Sequence, residues 1–166
     1  MRNILALTFI IILVCSNAFA ADLDIGTHAS FYYPPEGGGN TLMTGIDATY
    51  KVGSYFSARG DLDNSSYQAA DHKYSLTSLA VTLIGHLMGE SNIDPYIGGG
   101  IGYFDKKTDG VSDTSTGLNA LAGVAAHFQS LNVGVELKYT IPDTRHMETG
   151  FYSFGGNMTS GIHVDL

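Results

Sequence analysis

The 166-residue chain has one cysteine, few basic residues and, past residue 20, neither a long apolar run nor a helical stripe. Each shortage excludes something. The lone Cys15 lies near the N-terminus, so no disulfide can staple the rest of the chain, unlike many small exported domains. Eight Lys and Arg against 16 Asp and Glu give a formal net charge of −8, which argues against a nucleic-acid partner, whose phosphates require a basic surface. No stretch reaches the roughly 20 apolar residues of a membrane-spanning helix.

What the N-terminus does have is Arg2, an apolar run over residues 4–14, the polar or small Cys15, Ser16 and Asn17, and the triplet Ala18-Phe19-Ala20. A charged start, a short apolar core and A-x-A describe a secretory signal peptide over residues 1–20, cleaved after Ala20. Val14 stands where a lipoprotein signal carries Gly or Ala, so Cys15 is not read as a lipidation site. The mature chain, residues 21–166, has the length of one domain, and loss of Arg2 makes it one charge more negative.

The mature chain alternates with period two, the mark of strands whose faces meet different surroundings. DLDIGTHASFYY sets Leu23, Ile25, Ala29, Phe31 and Tyr33 against Asp24, Gly26, His28 and Ser30. LMTGIDATYKV, YFSARGDLD, SLTSLAVTLIGHL, PYIGGGIGYF, ALAGVAAHF, VGVELKYTI and FYSFGGNMTSGIHVDL repeat the pattern. That makes eight segments, an even number, as an up-and-down barrel of the bacterial outer membrane requires. The connections alternate too. Residues 53–54, 88–93 and 129–132 are short; residues 34–41, 64–73, 105–117 and 142–149 are longer and polar, as periplasmic turns and extracellular loops would be.

The expected fold is therefore all-β: an eight-stranded antiparallel up-and-down transmembrane barrel. Asp24, Asp47, Lys51, Arg59, Asp61, Glu136, Lys138 and Asp165 fall opposite the apolar face. A basic residue facing hydrocarbon at the midplane costs roughly 2–4 kcal/mol, so these charges belong in the lumen. Phe31, Tyr33, Tyr50, Phe56, Tyr103, Phe128 and Tyr139, near segment ends, would form the aromatic girdles. The alternative is a soluble barrel with these faces reversed.

PYIGGGIGYF resembles a phosphate loop only by its glycines. Gly98, Gly99, Gly100 and Gly102 lack the Gly-x-Gly-x-x-Gly spacing, and no helix pattern follows. As the wall of a narrow barrel, they would leave room for large side chains from facing strands.

DPYIGGGIGYF resembles the fifth strand, and GVELKYTI the seventh, of the eight-stranded outer-membrane barrels of the OmpA/OmpX/OmpW-like superfamily. TSGIHVDL resembles their C-terminal assembly signal, with Thr159, Gly161, Val164 and Leu166 in its places; the family usually ends in Phe and favours an aromatic where Val164 stands. The resemblance implies a Gram-negative outer-membrane protein surrounded by outer-membrane lipid and lipopolysaccharide. It also implies periplasmic chaperones and the barrel-assembly machinery as partners in biogenesis. No periplasmic anchor domain is expected after the barrel.

Among the inner residues, Asp47 and Arg59 flank the 53–54 turn and are expected to pair on adjacent strands, while Glu136 and Lys138 point inward from one strand. Together with Lys51 and Asp61 they form the expected polar network, read as a structural plug in preference to a gate or proton path because eight strands enclose a lumen just wide enough for side chains. His28 and Ser30 form a His-x-Ser pair that resembles one in the lipid A deacylase barrels, but it lies in the first strand with the inner set rather than late in the chain on the lipid-facing side, and has no assignable acidic partner. His127 and His163 show no zinc spacing, and no metal or cofactor is expected. Lys106 and Lys107 read as a solvated loop tip. The functional expectation is a non-enzymatic surface protein whose four longer loops meet an extracellular ligand. The alternative is a narrow OmpW-like conduit for small or hydrophobic solutes; a lipid-modifying enzyme is the third class.

Overall fold

The computed structural model describes residues 23–34, 39–69, 71–89, 91–129, 131–145 and 150–162. The expected leader, and His163, Val164, Asp165 and Leu166 at the C-terminus, lie outside the described residues. Eight strands follow one another: β1 (Leu23–Tyr32), β2 (Thr41–Lys51), β3 (Phe56–Ala69), β4 (His72–His86), β5 (Ile93–Thr108), β6 (Val111–Phe128), β7 (Leu131–Ile141) and β8 (Phe151–Ile162). Each pairs antiparallel with the next, and β1 closes on β8.

The register fixes the shape. One path of directly opposed residues runs Phe151–Thr140–Asn119–Gly100–Thr82–Arg59–Thr49–Asp24 and returns to β8 at Gly161. A full circuit thus climbs ten residues along β8, from Phe151 to Gly161. Such a stagger tilts the strands and leaves an interior that side chains fill.

The faces fall as the alternation requires. Ile25, Ile46, Ile97, Ile101, Val135, Leu137 and Met158 are exposed, while Asp24, Asp47, Asp61, Asp63, Arg59 and Lys138 are buried. Water would penalise the first set and the interior of a soluble barrel the second, so the soluble alternative is ruled out. Exposed Phe31, Tyr33, Tyr103 and Tyr152 ring one end of the apolar belt, and Tyr55, Phe56 and Phe128 the other.

Two of the four long loops are not loops. Residues 64–73 and 105–117 continue the hairpins β3–β4 and β5–β6 almost to their tips. Lys106 and Lys107 accordingly lie within β5 rather than at a loop tip. The β5–β6 turn is Asp109-Gly110, with φ of 50° and 87°, the left-handed pair that a two-residue hairpin needs. β3 to β6 hold 14, 15, 16 and 18 residues, against 10 to 12 in the other four strands. A membrane-crossing strand uses about 9–11, so these four rise past the girdle as an ordered sheet. At the edge of this sheet, the β7–β8 loop docks on β6 through Ser115 Oγ donating to Pro142 O (2.7 Å) and Thr144 N–H donating to Thr116 O (3.2 Å).

Candidate functional site

The lumen is filled in layers, each built by the inward residues of several strands. At the periplasmic end, Ser57 Oγ and His86 Nε2 lie 2.9 Å apart, and the other nitrogen of His86 meets Asp94. His127 Nδ1 lies 2.7 Å from Asn132 Oδ1, and Asn132 Nδ2 donates to Asp24 and Thr159, both at 3.2 Å. Lys51 Nζ reaches Asp24 at 3.8 Å, with its side chain 42 % exposed at the mouth. Ile84, Tyr96 and Leu121 form an apolar layer above.

The charged centre comes next. Arg59 of β3 donates through both terminal nitrogens to Glu136 of β7, at 2.8 and 3.0 Å, and its Nε lies 2.9 Å from Asp61 Oδ1. Tyr96 Oη also donates to Glu136, at 3.1 Å. Lys138 Nζ reaches Asp63 at 3.5 Å, and Ser78 donates to that same carboxylate oxygen at 2.9 Å. His28 sits between Asp47, 3.3 Å from its Nδ1, and Asp63.

Nearest the outside, Tyr32, Met43, Leu76, Phe104 and Phe151 close the barrel, with Tyr67 packed on them. The rings of Tyr32 and Phe151 lie 5.1 Å apart. Cavities of about 30 and about 70 Å³ remain in the lumen, the first beside Asp61, the second beside Asp47 and Asp94. Each of these carboxylates keeps one oxygen without a hydrogen-bond partner among the described residues. Spaces of this size suit a few bound waters and do not make a pore.

The expected inner residues are thus brought together, but with different partners. Arg59 pairs with Asp61 and Glu136, not with Asp47, because the register sets Asp47 opposite Asp61 and Arg59 opposite Thr49. Asp47 instead holds His28. The network also takes in Asp63, Asp94, Tyr96 and Asn119, which the sequence expectation does not include although their parity marks them as inward, and all four are buried. Thr159 and Gly161 of the expected assembly signal lie in β8, opposite Gly26 and Asp24 of β1.

The glycine stretch does form wall. Side chains at Gly102 and Gly117 would meet the Phe104 ring at 2.9 and 2.8 Å, and one at Gly98 would meet Leu121 at 3.1 Å. The space at Gly98 and Gly102 is therefore used by β6 and by β5 itself, and that at Gly100 by Thr82 of the adjoining β4. Gly100 lies between Thr82 and Asn119, whose side chains bond across it at 3.2 Å. Gly99 points outward.

His28 and Ser30 make no catalytic pair. Both ring nitrogens of His28 face carboxylates, and buried Ser30 Oγ has no hydrogen-bond partner among the described residues. A serine nucleophile needs a free imidazole nitrogen beside it.

Above the girdle, the inner face of the β3–β6 sheet carries Tyr67 stacked on Tyr74 at 5.0 Å, with Lys106 Nζ 5.5 Å from the Tyr74 ring centre. At the two tips Asp109 ties the hairpins together, bonding the His72 ring at 2.5 Å and accepting from the Lys73 amide at 2.9 Å. These donors, the histidine foremost, hold the Asp109 carboxyl below its ordinary range. In the β7–β8 loop, the carboxylate of Asp143 likewise raises the Arg145 guanidinium.

Residues 6–164 match the family model described as outer membrane protein beta-barrel domain. No curated protein sequence matches the chain. Among solved structures, Neisserial surface protein A superposes with a TM-score of 0.69 at 14 % identity, covering 84 % of this chain and 96 % of that one. The N-terminal barrel of Pseudomonas aeruginosa OprF gives 0.63 at 15 %, covering 85 % and 97 %. Ail, the attachment invasion locus protein of Yersinia pestis, gives 0.57 at 13 %, covering 86 % and 97 %. At these identities the likeness is one of fold.

Proposed function

The chain belongs to the outer membrane protein beta-barrel domain family, whose eight-stranded members sit in the Gram-negative outer membrane, and from that premise we propose that it is a non-enzymatic surface protein. Its barrel is a closed pedestal, and the β3–β6 sheet above the girdle is its interaction surface. One observation carries the reading: the lumen is crossed by ion pairs and capped by rings, with its cavities of about 30 and about 70 Å³ too small for a pore, while four strands extend beyond the membrane as ordered sheet. A conduit would spend its inner face on a path, and this inner face is spent on ion pairs and rings.

Charge supports the same division of labour. Arg59, Lys138 and Lys51 serve the lumen or its mouth, whereas Lys73, Lys106, Lys107 and Arg145 all stand on the extracellular side. Loops and edges held by a rigid scaffold are where binding usually resides. Ail, with this fold, has been solved with the heparin analogue sucrose octasulfate, which makes that polyanion a reasonable first probe.

The test compares the full barrel with one whose two hairpins are cut back to the girdle, both displayed on cells. Loss of adherence to anionic glycan surfaces on shortening, with the barrel still folded, supports the reading. Equal adherence, or ion conductance by the full barrel, contradicts it.

A further inference from the structure

The lipid-facing wall is not uniform. Aromatic girdle residues mark β1, β5 and β8 at the outer boundary, but on β3 and β4 their place is taken by Asn64 and Thr77, bonded to each other at 3.0 Å. Around them lies an outward groove of about 440 Å³, lined also by Thr44, Ile46 and Leu62. Directly below, a second groove of about 650 Å³ shares Ile46 and Leu62 and continues down the barrel over Ala48 and Gly60 between Ile25, Leu79 and Met158. The two make one track, apolar below and polar at the membrane boundary.

Cations stand at its upper end. Ser75 of β4 is directly opposite Lys107 of β5, and Lys73 lies two residues further along the same outward face. Both lysines are exposed, and Lys107 is 3.7 Å from Asp105. Lys73 is four steps along β4 from Thr77, about 13 Å of strand. Lysine stems span several ångströms and turn their heads toward a membrane surface. Apolar groove, hydroxyl and amide shelf, then ammonium groups is the order of acyl chain, polar head and phosphate in an outer-leaflet lipid.

We propose that the outward face of β2 to β5 binds a phosphorylated glycolipid of the outer leaflet, with an acyl chain over Gly60, the sugar on Asn64 and Thr77, and a phosphate held by Lys73 and Lys107. The site rests on the barrel's place in the membrane; it shares Lys73 and Lys107 with the extracellular sheet, whereas Gly60 lies in the groove below, so Gly60→Phe tests the site without altering that sheet.

Native mass spectrometry of the barrel, offered equimolar bisphosphorylated and dephosphorylated lipid A, reads it directly. The wild type should retain the phosphorylated form preferentially, and Lys73→Ala and Lys107→Ala should each reduce that preference about fivefold. Gly60→Phe should reduce retention of both forms. Nothing lies within 4 Å of a side chain added at Gly60, so the barrel should fold, as heat-modifiable mobility would show. Ala122→Phe, outward on β6, should leave retention unchanged. Equal retention of the two lipids by the wild type, or retention untouched by Gly60→Phe, would overturn the site. A dimer lost in Gly60→Phe with lipid retained would give the groove to a second copy and overturn it equally.

Discussion

Arg59 and Glu136 stand on β3 and β7, four strands apart in a barrel of eight, so their two-pronged ion pair spans the lumen. Lys138 and Asp63 repeat the crossing one step nearer the outside. Two opposite walls are thereby tied through the centre, and the barrel's interior is both its core and its closure.

Removing one partner of such a pair leaves a buried charge unpaired. Arg59→Ala should therefore cost about 3–5 kcal/mol, measured as a lower urea midpoint for the folded band in detergent. The triple change Arg59→Met, Asp61→Asn and Glu136→Leu should recover much of that loss, because it leaves none of the three charges behind. A triple variant as weak as Arg59→Ala would show that the ion pairs are not what stabilises the centre.

Within the glycine stretch, neighbouring positions should respond with different signs. Gly102→Val pushes a side chain into the space of the Phe104 ring and should cost about 1–3 kcal/mol. Gly99→Ala points outward, with only Asn119 O near, at 3.7 Å, and should be neutral or stabilising. Equal effects on thermal unfolding would mean that the inward and outward faces have been misassigned.

The tips of the extracellular sheet should loosen in acid. Asp109 is held below its ordinary range by His72 and the Lys73 amide, so its contribution is fully present above the unfolded carboxyl's pKa. It is lost as pH falls through the lower native value. Proteolysis at the β5–β6 turn should rise as pH drops from about 4, near the reference aspartate value. In Asp109→Asn the acid-dependent part should vanish. Wild type and variant with the same pH profile would remove Asp109 from the hairpin's stability.

How far the sequence carried depended on the surroundings of each strand. Inside the bilayer one face meets hydrocarbon and the other the lumen, so Ile25 against Asp24, or Leu137 against Lys138, shows the alternation plainly. Above the girdle both faces of β3 to β6 meet water, and TDGVSDTST reads as loop although it is strand on both sides of its turn. The one local signal was Asp109-Gly110. The partners in the lumen were harder for a different reason. Parity tells which residues point inward, but Arg59 finds Glu136 only through the stagger of the closed barrel, which no short-range pattern encodes. Proximity to the 53–54 turn suggests Asp47 instead, but the register sets that residue opposite Gly26 and Asp61, and His28 reaches it from a diagonal position on β1.

The aromatic closure predicts its own relaxation. Phe104→Ala together with Phe151→Ala removes two rings from the outermost layer and leaves the charged centre beneath in place. Such a variant should admit a small water-soluble thiol reagent to a cysteine introduced at Ser78, a site the wild type should protect. Equal labelling of both would mean that the rings do not seal the mouth.

The most direct measurement is a planar-bilayer recording of the purified wild-type barrel, its folded state established by mobility with and without boiling. A lumen crossed by Arg59–Glu136 and capped by Tyr32, Phe104 and Phe151 should give a quiet membrane, without reproducible conductance steps. Regular steps that disappear when Gly100 is enlarged would place an ion path through the barrel, and the closed pedestal would have to be abandoned.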